Sequence, residues 1–172
     1  MTATGIRRLI LTRHAKSAWD DPSMDDHDRP LNDRGRRSAR ALGDWLASRG
    51  YDPEEVLCST SRRTVETWER AAAAVFETRP PLQLRPELYH AEPDEMMDVL
   101  RTATMNTVMV IGHNPGIAAF AAMLPERPPL DPDFRRFPTA ATLVVDFAAD
   151  SWADVQPGSG DVRDFVRVDG RQ

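Results

Sequence analysis

The sequence predicts an α/β fold: a three-layer sandwich whose mainly parallel sheet carries helices on both faces. Two observations lead there. Short apolar runs alternate along the chain with longer segments of helical periodicity, the pattern of right-handed β-α-β crossovers. The 172 residues show no internal repeat and no low-complexity tract, and roughly 100–200 residues is the usual size of one domain with its own core. A single domain over residues 1–172 is therefore expected.

The elements follow in order. Residues 7–12 (RRLILT) make a short buried strand of large apolar side chains. Residues 19–30 (WDDPSMDDHDRP) are acidic with two prolines, and form a loop. A helix begins at Leu31 and Asn32. Asn32 is its N-cap, Ala39, Leu42, Trp45 and Leu46 recur at helical spacing, and Gly50 fits a left-handed cap at its end. Glu55–Cys58 is the second strand. Ser59 or Thr60 caps a second helix with Val65, Trp68, Ala72, Val75 and Phe76 on one face. Residues 82–85, after the Pro80-Pro81 break, are the third strand. Glu92, Pro93 and Asp94 open a third helix, since proline is tolerated in a first turn, and Met96, Met97 and Leu100 form its buried face. Residues 107–111 (TVMVI) give the clearest strand. A tight turn over 112–116 and a small apolar helix over 117–124 come next. Residues 125–138 hold five prolines and no periodicity, and read as a surface loop. Residues 141–147 are a strand, and 164–168 pair near it after the Gly158-Ser159-Gly160 turn.

Composition narrows the function classes. Lys and Arg number 22 against 27 Asp and Glu, and the net charge of −5 argues against a general nucleic-acid binder. Cys58 is the single cysteine, so neither an intrachain disulfide nor a cysteine-based zinc cluster can form. No apolar run approaches the roughly 20 residues of a membrane span. Residues 1–8 are polar and basic and lead straight into a strand, unlike a signal peptide. A cytoplasmic protein with no nucleic-acid or membrane partner is expected.

In an open sheet of this kind, ligands bind beyond the carboxyl ends of the strands. Arg13 and His14 follow the first strand, His113 follows the 107–111 strand, and Arg63 stands in the first turn after the Glu55–Cys58 strand. A lone histidine at a strand end is most often a hydrogen-bonded loop residue, and a lone helical arginine a solvated one. Three junctions that deliver two arginines and two histidines to one rim of an acidic protein instead describe a local anion site. Arginine forks match phosphate oxygens in pairs, and nearby helix N-termini add backbone donors. No G-x-G-x-x-G or Walker A run follows the first strand, so nucleotide binding lacks support.

The segment LTRHAKS (11–17) resembles the R-H-G/R-H-A signature of the histidine phosphatase superfamily, also called phosphoglycerate mutase-like. DRPLNDRG (28–35), CSTSRRTVET (58–67) and VIGHNPG (110–116) resemble further elements of that family in the same order. The second of these places Arg63, not Arg62, on the family arginine. PELYHA (86–91) and FPTAA (137–141) are similar to the small bacterial branch of phosphohistidine phosphatases, the SixA type. The resemblance runs from about residue 7 to about residue 147.

That resemblance implies the phosphoglycerate mutase-like fold and a phosphatase working through a covalent phosphohistidine. His14 is then the nucleophile; an imidazole of ordinary pKa, about 6.5, is largely neutral at pH 7. Such covalent catalysis splits one hard displacement into two easier ones. Arg13, Arg63 and His113 hold the phosphoryl oxygens and stabilise their charge. Ser17 and Asn114 are expected to donate hydrogen bonds to phosphate, and Lys16 to add positive charge. Arg29 reads chiefly as a structural bridge from its loop to the next helix, His27 and His90 as surface or loop residues, and Tyr89 as packing beside the site. Glu87 is the candidate general acid, with Asp28 second. No metal and no cofactor are needed.

Weak provision of a general acid favours N–P over O–P bonds, because an alkoxide needs a proton to leave and a protonated phosphoramidate departs as neutral imidazole. Phosphohistidine in a protein is thus the expected substrate. A phosphatase of small phosphomonoesters on the same scaffold is the alternative. Only the 19–30 and 125–138 loops stand near the site, which leaves it open and disfavours a mutase. A non-catalytic module for phosphorylated ligands is a third reading, against which the pairing of His14 with His113 argues.

Overall fold

The structure, a computed structural model, describes residues 5–73 and 79–169. Its six strands are β1 (Ile6–Arg13), β2 (Glu55–Cys58), β3 (Leu82–Leu84), β4 (Thr107–Gly112), β5 (Ala141–Ala148) and β6 (Asp161–Arg167), in one sheet of order β3-β2-β4-β1-β5-β6. β1 and β2 each run parallel to β4, and β3 runs parallel to β2. β5 is antiparallel to β1, and β6 is antiparallel to β5. The expected α/β sandwich with a mainly parallel sheet is what forms.

Four helices, α1 (Asp33–Ser48), α2 (Arg62–Ala72), α3 (Pro93–Leu100) and α4 (Gly116–Met123), supply the outer layers. Alternate strand residues decide which helix covers which face. Ile10, Val56, Met109 and Ile111 pack with Leu42 and Leu46 of α1 and Trp68 of α2. Leu9, Leu11, Val108 and Val110 pack with Met96 and Leu100 of α3 and Ile117 and Phe120 of α4. The central strands are apolar without alternation because both of their faces are covered. Each fully buried aliphatic side chain contributes about 1.5–3 kcal/mol over leaving it exposed.

Helix ends are local chemistry. The Asn32 side chain accepts the Gly35 N–H at 2.8 Å and starts α1 as expected. Gly50, at φ 71°, ends it: Gly50 N–H reaches Ala47 O and Tyr51 N–H reaches Leu46 O, a Schellman pair that needs the left-handed residue. α3 opens on a capping box between Glu92 and Glu95. The cap of α2 is Ser61, not Ser59 or Thr60. Just past β2, Ser59 N–H is still bonded to Ile111 O at 3.1 Å, so the chain does not turn into the helix until Ser61.

Other boundaries differ for physical reasons. β3 ends at Leu84 and β6 begins at Asp161. Neither lies under a helix on both sides, so neither shows a clean apolar signature. Residues 125–138 are more than a surface loop. Phe134 and Phe137 are buried, with ring centroids 5.3 and 5.6 Å from Phe165 of β6. Val75, Phe76 and residues 1–4 of the basic N-terminus lie outside the described residues. Among the described residues, no helix is long and apolar enough to cross a membrane.

Candidate active site

β1 and β4 lie side by side, with Arg13 of β1 opposite Gly112 of β4. Their next residues, His14 and His113, therefore emerge together, with ring centroids 5.3 Å apart. β2 lies beyond β4, and the first turn of α2 brings Arg63 to the same edge. These side chains line a pocket of about 320 Å³ together with Lys16, Ser17, Trp19, Arg29, His90, Asn114 and Thr139. The strand ends thus collect Arg13, His14, Ser17, Arg63, His113 and Asn114 at one place.

His14 is only 6% exposed, and its Nδ1–H donates to the Ala15 carbonyl at 2.7 Å. That bond leaves the ring lone pair on Nε2. Burial, outweighing the Ala15 hydrogen bond and joined by the charges of Arg13, Arg63 and Arg29, holds its pKa down at about 3. His113 is 5% exposed, with Nε2 2.8 Å from Ser59 Oγ. Burial first, then His14 and Arg63, lower its pKa to about 2. Both rings are neutral at ordinary pH.

Arg63 is 4% exposed and is held by Asp26, whose backbone carbonyl accepts at 2.7 Å and whose carboxylate accepts at 3.0 Å. Asp26 also accepts from Arg29 at 2.9 Å and from the Tyr89 hydroxyl at 2.5 Å. Partial burial raises the Asp26 pKa, but those hydrogen bonds and the two guanidinium charges outweigh it and bring it to about 2. Arg13 donates to Phe137 O at 3.3 Å, and burial followed by the Arg63 charge lowers its pKa. Among the described residues, Arg13 Nε, Arg29 Nε, Arg63 Nε and His113 Nδ1 are buried without a hydrogen-bond partner, and only Arg101 Nε is so placed elsewhere. Buried donors are normally satisfied. Three of the four are guanidinium nitrogens, so unpaired donors and positive charge gather beside this pocket.

The backbone around the pocket is strained. His90, Phe137 and Ala140 have φ of 58°, 45° and 64°. Ala140 N–H reaches His14 O at 3.0 Å, and Phe137 O is the acceptor for Arg13. Such residues cost of order 1–3 kcal/mol each and persist only where their surroundings hold them.

Some expectations need correction. Glu87 does not line the pocket. Its carboxylate is exposed and paired with Arg85 at 2.7 Å, and the hydrogen bond from Arg85 lowers its pKa, which is opposite to what a general acid requires. Asp28 is also exposed and outside the pocket, 3.8 Å from His27 Nδ1. Asn114 lines the pocket, but its Nδ2 donates to the carbonyls of Arg136 and Phe137 at 2.8 and 3.1 Å, so those protons anchor the 125–138 loop instead of pointing to a ligand.

Arg29 and His90, which read from the sequence as a bridge and a surface residue, both line the pocket. Tyr89 packs beside it, 5.5 Å from the His113 ring, and His27 meets Tyr89 edge-to-face at 4.9 Å. Asp26 and Ser59 carry no signal in one sequence, because each acts through a partner distant along the chain. Chemically, the pocket offers a neutral imidazole with its lone pair on Nε2 and guanidinium groups able to hold a dianion. Among the described residues, no three His, Cys, Asp or Glu side chains gather closely enough to hold a metal ion.

Residues 9–92 match the family model of the histidine phosphatase superfamily, branch 1. An uncharacterized protein of Mycobacterium tuberculosis, Rv1276c, is 35% identical over 153 residues, covering 85% of this chain and 92% of that protein. A solved structure from Nakamurella multipartitia, described as a candidate phosphohistidine phosphatase SixA, superposes with a TM-score of 0.81 at 29% identity, covering 97% of this chain and 99% of that one. A second such SixA structure, from Agrobacterium tumefaciens, gives a TM-score of 0.75 at 28% identity, covering 97% and 99% of the two chains. By its matching sequence model, its relatives and its fold, the chain belongs to the histidine phosphatase superfamily.

Proposed function

We propose that this chain removes the phosphoryl group from phosphohistidine in a protein, with His14 as the nucleophile. The observation that carries the reading is the His14 tautomer: Nδ1–H is held by Ala15 O at 2.7 Å, so the lone pair sits on Nε2 in a pocket lined by Arg13, Arg29 and Arg63. In the first step Nε2 bonds to phosphorus as the P–N bond to the substrate imidazole breaks. That imidazole carries a proton on its other nitrogen and leaves neutral. In the second step water bonds to phosphorus as the P–Nε2 bond breaks, the water's protons leave with the phosphate as its monoanion, and His14 is returned neutral with its Nδ1 proton still donated to Ala15 O. Arg13, Arg63 and His113 hold the oxygens through both steps.

The substrate class follows from what lines the pocket. Among the described residues no carboxyl does. An alkoxide leaving group would lack a proton donor of the usual kind, whereas imidazole needs none. The partner is accordingly a phosphorylated protein. A cytoplasmic setting goes with this reading.

The test compares wild type and His14→Ala on a phosphohistidine protein, a phosphoserine peptide and a sugar phosphate. Wild type is expected to prefer phosphohistidine, to form an acid-labile phosphoenzyme on brief mixing, and to lose at least about 10³-fold in rate on His14→Ala, since the covalent route disappears. Full hydrolysis by His14→Ala would refute the nucleophile. Equal rates on sugar phosphates would refute the substrate class and favour the small-molecule reading.

A further inference from the structure

A second hollow, of about 560 Å³, adjoins the pocket, and the two share Trp19 and Arg29 as a common wall. A macromolecule that places a phosphorylated side chain in the pocket lays its neighbouring residues either over this groove or over a smaller hollow of about 250 Å³ that shares Lys16 and Thr139 with the pocket. We propose that the groove docks a lysine- or arginine-bearing segment flanking the phosphohistidine of the substrate protein, and this rests on the function proposed above.

Two features identify the occupant. The first is Trp19, a large aromatic ring that is 77% exposed and yet held in place, with the Arg29 guanidinium 3.5 Å from its centroid. Arg29 is fixed in turn by Asp26 at 2.9 Å. A rigid, open tryptophan loses little conformational freedom on binding and is the residue type that dominates interface energetics. Met24, also exposed, extends the apolar surface along the groove.

The second feature is charge. Of the carboxylates lining the groove, Asp33 is neutralised by Arg36 at 2.9 Å. Asp20 and Asp21 have no cationic partner among the described residues. Of the groove's own arginines, Arg36 is paired with Asp33 and Glu66, and Arg29 shares Asp26 with Arg63 and turns its charge toward the pocket side. The groove thus presents uncompensated negative charge beside a positive pocket. A segment with a phosphoryl dianion followed by cationic side chains matches both signs, while an acidic segment meets repulsion at the rim. Small phosphorylated molecules fill the pocket alone and gain nothing from the groove, so its contribution is confined to protein substrates.

The experiment uses Asp20→Asn/Asp21→Asn, which keeps the Asp21 oxygen position that accepts from Ser23 while removing both charges. Three substrates are compared: free phosphohistidine, a phosphohistidine peptide flanked by lysines, and one flanked by glutamates. An exposed ion pair gives roughly two- to fivefold in affinity, so two carboxylates should give wild type about a tenfold preference in kcat/KM for the lysine-flanked peptide, expressed in KM. The double variant is expected to reduce that preference to under about twofold, as should high salt, with turnover of free phosphohistidine unchanged. Equal use of both peptides by wild type, or a preference that survives in the double variant, overturns the docking proposal. If no form cleaves an N–P bond, the function proposed above fails by itself. Binding of the lysine-flanked phosphopeptide to His14→Ala, followed by tryptophan fluorescence, then decides the groove: it must weaken about tenfold on adding the two Asn substitutions, and an unchanged Kd overturns it.

Discussion

Arg63 has 4% of its surface open to water, and Asp26 is the anion that compensates it. The same carboxylate holds Arg29 at 2.9 Å, so before substrate arrives it occupies two of the cations that line the pocket. Removing one partner of a buried pair strands the other. Asp26→Ala should therefore cost about 1–3 kcal/mol of stability, less than for a fully buried partner because the Asp26 side chain is 44% exposed and water replaces part of it. The stranded arginines should then take up phosphate more strongly. The check is thermal unfolding with and without inorganic phosphate: Asp26→Ala should start lower than wild type and gain more from phosphate. A smaller gain than wild type would contradict this counter-ion role. At this scale position alone singled out residues that the structure gathers in one pocket, since Arg13, His14 and His113 stand at strand ends and Arg63 in the first turn of the helix after one. It could not show Asp26, whose function lies in contacts with Arg63, Arg29 and Tyr89 across 37, 3 and 63 residues of chain. It also could not show that Arg85 draws Glu87 away from the pocket.

At the scale of elements, the five prolines of residues 125–138 suggested a loop on the surface, and two phenylalanines contradict it. Phe134 and Phe137 have no regular spacing, so no periodicity signals their burial, yet they close the end of the sheet against Phe165. Phe137 joins that packing to the pocket, because its carbonyl accepts from Arg13 at 3.3 Å and from Asn114 at 3.1 Å. Phe137→Ala should therefore act twice. It should cost about 3–5 kcal/mol, as truncation of a fully buried aromatic does. It should also lower activity at temperatures where the variant is still folded, because the acceptor that orients Arg13 loses its anchor. Unfolding in urea, together with activity measured well below the transition, checks both. Normal activity in a destabilised protein would show that the loop serves packing only. The parallel core strands were legible because both faces are apolar. β6 was found three residues late because, exposed at the sheet edge, it has no such face.

For the whole molecule, the pocket makes stability depend on pH in a direction the net charge of −5 does not suggest. A histidine in the unfolded chain takes up a proton near pH 6.5. In the folded protein His14 does so only at about 3 and His113 only at about 2, because burial and neighbouring cations oppose the charge. Between these limits the unfolded state binds more protons, so stability is full above about pH 6.5 and falls as pH drops below it. Each histidine contributes a slope of up to about 1.4 kcal/mol per pH unit, and the pair should remove about 2–4 kcal/mol between pH 7 and pH 5. Asp26, held at about 2 against an ordinary value of 3.8, adds a further loss only below about pH 4. Urea unfolding at the two pH values measures the difference, and His113→Gln should remove about half of it. Saturating phosphate should also reduce it, because a bound dianion favours the protonated imidazoles that the empty field of Arg13, Arg29 and Arg63 disfavours. Unfolding free energies equal at pH 7 and pH 5 would mean that the two rings are not held neutral by the fold. The same neutrality has a kinetic consequence for the proposed mechanism: kcat/KM for phosphohistidine should show no enzyme ionisation near pH 6.5, since His14 is already deprotonated well below it.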